Sequence, residues 1–172
     1  MLDKTHRYVL LGSCFSQYMG ERMQAEGYHA LCNPVGTLFN PESIRNTVMH
    51  ALCGNQDSLP MFFDQAMQEW RCWWANTRFR AAQQDEARGL IQETFHALGN
   101  ALSHADRLFL TLGTNVCYRL VEDGTVVSNC QRQADRLFRE ETLSLQEVCQ
   151  VLDETLQCLF AKNPGIRVTF TL

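Results

Sequence analysis

Four short apolar runs punctuate the chain: Tyr8-Val9-Leu10-Leu11, Tyr28 to Cys32, Leu108-Phe109-Leu110-Thr111-Leu112 and Ile166 to Leu172. Between them apolar residues recur mainly at helical spacing. Near-continuous apolarity predicts strands covered on both faces, Leu108 to Leu112 most centrally. Strands that alternate with helices are joined by crossovers onto a parallel sheet. This order of elements sets the expected class as α/β, a three-layer parallel sheet with helices on both faces.

Local signals mark the helices. Gly12-Ser13 ends the first run, and Phe15, Tyr18, Met19 and Met23 follow at helical spacing as far as Gly27. After the loop Asn33-Pro34-Val35-Gly36, Asn40-Pro41-Glu42 offers a cap with proline at the first helical position, and Ile44, Val48, Ala51 and Leu52 are expected to face inward before Gly54. Leu59 to Arg80 holds Met61-Phe62-Phe63 and Trp70 to Trp74, read as a hairpin or an excursion over the sheet. Asp85 to Ser103 places Ala87, Leu90, Ile91, Phe95, Leu98 and Leu102 on one helical face. Asp123-Gly124 predicts a tight hairpin between Val116–Val121 and Thr125–Ser128. Ser144-Leu145-Gln146-Glu147 is a capping-box pattern; its helix is expected to turn Leu145, Val148, Cys149, Leu152, Leu156, Leu159 and Phe160 inward and to end near Asn163-Pro164-Gly165.

With 172 residues the chain suits one domain, residues 1–172, and a net charge of −4 with no basic cluster argues against a nucleic-acid partner. No apolar run is long enough to span a bilayer and the N-terminus lacks the pattern of a secretory signal, so the expected location is the cytoplasm, without membrane attachment. Eight scattered cysteines are expected as reduced, mostly buried thiols; their spacing does not suit zinc, and neither a metal nor a cofactor is expected.

In an open parallel sheet, ligands bind outside the carboxyl ends of the strands. Here those ends lead into Gly12-Ser13, Asn33 to Gly36 and Gly113-Thr114-Asn115. A serine at such a turn presents its hydroxyl near the positive end of a helix, where developing negative charge is stabilised. The plainer readings are that Ser13 caps its helix, Gly36 serves a tight turn and Asn115 satisfies a backbone group. Cys14 offers a thiol at the same helix end, with its side chain expected to point inward. Trp70, Trp73 and Trp74 read as core or sheet cover, or as a ligand platform.

The strings Gly12-Ser13-Cys14-Phe15-Ser16, Asn33 to Ile44, Thr111-Leu112-Gly113-Thr114 and Val127-Ser128-Asn129-Cys130, with the helix start at Leu143-Ser144, resemble the bacterial GSCFA family from about residue 8 onward. The resemblance implies a flavodoxin-like, SGNH-type (GDSL-like) hydrolase fold acting on esters or acyl groups. It implies Ser13 as nucleophile, the Ser13 amide and Gly36 as oxyanion-hole donors, and Asn115 as the third donor, with Asn129 or Asn40 as the alternative polar group. A small-molecule or glycan acyl ester is then the expected substrate.

The chain departs from the family where relatives carry histidine: Asn76-Thr77 stands in place of His-Ser, and Gln131 follows Asn129-Cys130. Relatives also continue beyond the last strand to an aspartate and a histidine that complete the triad. None of His6, His29, His50, His96 and His104 lies in a segment expected to reach Ser13. The expectation is therefore an incomplete domain, truncated at its C-terminus and inactive alone, whose partners are a complementing C-terminal segment or a second copy. The alternative is a non-catalytic relative that binds a ligand or partner at the same rim.

Overall fold

The computed structural model describes residues 2–54 and 58–171. Its main sheet contains β1 (Arg7–Gly12), flanked by β2 (His29–Cys32) on one side and by β5 (Arg107–Thr111) and then β9 (Arg167–Thr171) on the other, all parallel. The helices are α1 (Cys14–Ala25), α2 (Pro41–Cys53), α3 (Gln84–His104) and α4 (Leu145–Lys162). Alternation along the strands divides the core between the two faces. Val9, Leu11, Leu108 and Leu110 pack with Ile44 and Val48 of α2, Ile91, Phe95 and Leu98 of α3 and Leu159 of α4. Tyr8 and Leu10 pack with Met23 of α1 on the opposite face. The expected three-layer α/β arrangement is what the chain forms.

Caps appear where the sequence signals them. The Asn40 side chain accepts the Ser43 amide at 2.8 Å with Pro41 opening α2, and Ser144 and Glu147 form a reciprocal capping box at the head of α4. The inward face of α4 differs from expectation. Val151, Thr155 and Leu159 are buried, whereas Leu145, Cys149 and Phe160 face out. Two apolar stripes run along this helix, and contact with α2 selects the one containing Thr155, whose hydroxyl is satisfied by Val151 O at 2.7 Å. Leu90, at the margin of the α3 stripe, is also exposed.

Two smaller sheets lie outside this frame. Residues 61–72 make an antiparallel hairpin of β3 (Met61–Asp64) and β4 (Glu69–Cys72). The hairpin expected around Asp123-Gly124 forms between β6 (Val116–Leu120) and β7 (Val126–Val127) and gains a third strand, β8 (Phe138–Thr142). β8 reads Phe-Arg-Glu-Glu-Thr, whose charges hide any apolar alternation; β6 supplies the ladder. The cysteines also depart from expectation. Only Cys72 and Cys117 are buried, while Cys14, Cys53 and Cys149 are exposed on helix surfaces turned from the core. Among the described residues no helix is long and apolar enough to cross a membrane, and no cluster of three or more His, Cys, Asp or Glu side chains is placed to hold a metal.

Candidate functional site

The chain runs from β1 outward to β2 and later returns to β5 on β1's other side, so the carboxyl ends of β1 and β5 flank the point where strand order reverses. Gly12 and Ser13 leave β1 at that point. Gly12 has φ +139°, and a Cβ there would lie 2.2 Å from the Thr111 carbonyl oxygen. Only glycine lets the turn approach β5 so closely. Ser13 then caps α1, its Oγ accepting the Phe15 amide at 3.3 Å, and the residue is only 8% exposed. Cys14, expected to point inward, is exposed instead, because the turn directs its thiol outward from the first position of the helix.

A side chain from the next loop holds this turn. Asn33 adopts a left-handed conformation, φ 38°, which asparagine tolerates better than most residues. Its Oδ1 accepts the Gly12 amide at 2.9 Å and its Nδ2 donates to Ser13 O at 3.3 Å, while its own amide donates to Leu10 O at 3.0 Å. The Gly12 carbonyl accepts the Leu38 amide at 2.8 Å. Below, the Thr111 hydroxyl lies 2.7 Å from both Ser16 Oγ and Thr171 Oγ1, tying α1, β5 and β9 together.

The nominated donors fall in different places. The Ser13 amide donates to Thr111 O at 3.2 Å, and the Gly36 amide donates to Asn33 O at 2.9 Å. Gly36 has φ +114° and packs so closely on Asn76 that a Cβ would lie 2.7 Å from the Asn76 Cβ. Asn115 is turned toward α4, its Nδ2 donating to Leu143 O at 2.7 Å, which engages one of its two amide protons. The Cys14 amide heads α1 with no acceptor among the described residues.

Gly113 packs beside the serine: a Cβ built on it would lie 3.3 Å from both Ser13 Cβ and Phe39 Cδ1. The Phe39 carbonyl accepts the Gly113 and Thr114 amides at 2.9 and 3.0 Å. Phe39 and Thr114 open a cleft of about 450 Å³ that continues past Asn40, Tyr118, Asn129, Cys130 and Glu140. The two alternative polar residues therefore share this cleft. Asn40 is buried as the α2 cap, and exposed Asn129 accepts the Gln131 amide at 2.6 Å. Asn33 and Phe39 are the parts that reading for side-chain chemistry missed. The usable signal for Asn33 was an asparagine opening a Pro-Val-Gly turn, a place suited to positive φ.

Where relatives were expected to carry histidine, this chain uses amides structurally. Gln131 is buried and its side chain donates to Cys72 O at 2.5 Å and Ala75 O at 2.9 Å; the Asn76 backbone N–H donates to Val35 O at 2.8 Å, and its side chain packs against Gly36. None of the five histidines hydrogen-bonds to Ser13. His50 is wedged edge-on against Phe95 and Trp74, with ring centroids 4.6 and 5.6 Å away, and burial pushes its pKa below the ordinary 6.5. His104 lies with Nδ1 2.8 Å from Asn100 O, and His29 begins β2 at the end of the sheet opposite Ser13.

Fold and site together define an α/β domain with a glycine–serine turn at its switch point. Residues 7–172 match the sequence model of the GSCFA family, and the chain belongs to that family. No curated protein and no solved structure matches it.

Proposed function

We propose that this chain carries an SGNH-type serine acyl-transfer site, at which Ser13 attacks the carbonyl of a small-molecule or glycan acyl ester. The observation that carries this reading is the position of Ser13: a shielded hydroxyl at the head of α1, between the carboxyl ends of β1 and β5. The positive end of α1 favours the oxyanion formed by that attack, and the Cys14 amide at its head is a donor available to it. The cleft beyond Phe39 and Thr114 is of a size suited to small ligands and takes the group that bears the ester.

A serine hydroxyl needs a base to become an effective nucleophile, and no histidine described here touches Ser13. The base therefore comes from outside these residues, from a complementing segment or a partner, and the 172-residue chain alone hydrolyses esters negligibly. A ligand-binding role without turnover is the second reading, favoured by the engagement of the Ser13 and Gly36 amides within the chain.

Both readings are tested with an activated acetyl ester, with and without added imidazole as a diffusible base. The expected result is negligible turnover alone and, with imidazole, an acetyl adduct on Ser13 that is absent in Ser13→Ala. Ester turnover without imidazole that disappears in Ser13→Ala would refute the external base. Failure to acylate Ser13 under either condition would favour the binding role.

A further inference from the structure

The last residue of α2 and the fourth turn of α4 bring two thiols together. Cys53 Sγ lies 3.6 Å from Cys158 Sγ, across 105 residues of sequence. Cys53 is exposed and Cys158 half-buried, so oxidant reaches the pair from solvent through Cys53. The other exposed thiols, Cys14 and Cys149, make no such sulfur contact among the described residues. A disulfide needs the sulfurs about 2.0 Å apart, so the gap closes by roughly 1.5 Å, within reach of side-chain rotation.

We propose that Cys53 and Cys158 form a redox-modification site, in which a peroxide converts the two thiols into a reversible disulfide that staples α2 to α4. With hydrogen peroxide, the Cys53 thiolate attacks one oxygen, the O–O bond breaks, and the departing hydroxide takes up a proton to leave as water. Cys53 is then a sulfenic acid. The Cys158 sulfur attacks the Cys53 sulfur; the S–O bond breaks, and the departing hydroxyl leaves as a second water with the Cys158 proton. Two thiols lose two electrons in all, and the peroxide gains them. Burial, followed by the contact with Cys53, raises the Cys158 pKa to about 11, so Cys158 stays protonated while Cys53 meets the oxidant. Reduction by a dithiol restores both thiols.

The site is independent of Ser13 chemistry and is tested on the full chain. The native protein is treated with hydrogen peroxide, its remaining thiols are blocked with N-ethylmaleimide, and the digest is mapped by mass spectrometry in a Cys149→Ser background, since Cys149 and Cys158 share a tryptic peptide. The expected product is an intrachain Cys53–Cys158 link that dithiothreitol reverses. Closing so long a loop should raise the thermal midpoint by on the order of 5 °C, a gain absent in Cys53→Ser. The proposal fails if peroxide oxidises Cys14 while Cys53 and Cys158 remain alkylatable. It also fails if Cys53 pairs with another cysteine or another chain, or if Cys53→Ser shows the same midpoint gain.

Discussion

The Ser13 turn and the hairpin of residues 61–72 are both close-fitting, but different forces hold them. At the turn the fit is made by backbone: Gly12 against Thr111, the Leu38 and Gly12 main chains joined, and the Asn33 amide spanning two neighbours. Beneath it lies an aliphatic core in which Leu11, Leu108 and Leu110 are fully buried, each contributing roughly 1.5–3 kcal/mol. The hairpin is held instead by a buried ion pair. Arg71 Nη1 lies 3.1 Å from Asp64 Oδ2, both residues nearly inaccessible, and Gln133 Nε2 donates to the same carboxylate at 3.0 Å. At its base Phe62 stacks on Trp73 at 3.7 Å. The difference is one of tolerance. Backbone contacts admit almost no substitution, whereas a buried ion pair admits removal of both partners but not of one.

The largest expected effect is at the turn. Gly12→Ala forces a Cβ into the Thr111 carbonyl at a φ that side chains rarely adopt, and should cost about 4 kcal/mol or more, seen as loss of the folded state or a sharply lowered denaturant midpoint. A midpoint within experimental error of wild type would end the claim that backbone contact sets this turn.

Asp64→Ala should come next. It leaves the Arg71 cation buried with Glu69 Oε2, 3.4 Å away, as its remaining ion-pair partner among the described residues, at a cost of about 3 kcal/mol. That loss should be local, with hydrogen-exchange protection falling across residues 61–72 while β1 and β5 keep theirs. Equal loss in β1 would show that hairpin and core open as one unit. Replacing Asp64 and Arg71 together by apolar residues should recover most of the loss.

The smallest effect lies on the seam between the regions, where His50 of α2 packs against Phe95 and Trp74. Burial lowers the His50 pKa below 6.5, so between that lowered value and 6.5 the unfolded chain binds more protons than the folded one. Stability should therefore fall as pH drops below about 6.5, and His50→Leu should flatten that part of the curve in denaturant titrations at several pH values. An unchanged slope would place the titration elsewhere.

The same contrast explains what was legible in the sequence. The main strands and the ends of α2 and α4 announce themselves because continuous apolarity and capping residues act locally. β8 does not, since its pairing is set by β6 and its own residues are mostly charged. The inward stripe of α4 was ambiguous because two apolar stripes were on offer and only α2 chooses between them. At the site, Ser13 and Gly12 stood out by type, but the partners of the Gly36 amide and the Asn115 side chain depend on contacts that periodicity does not encode.

Asn33 carries a consequence for how such a site can be moved or varied. Gly12 and Ser13 take their backbone positions from a residue 20 or more places further along, held in a conformation that its own loop imposes. The short glycine–serine string is therefore not a portable cassette. Grafted onto another scaffold without residues 33–36, it would bring the hydroxyl but lose the clamp that aims it, so the two segments travel as one unit of inheritance and of design.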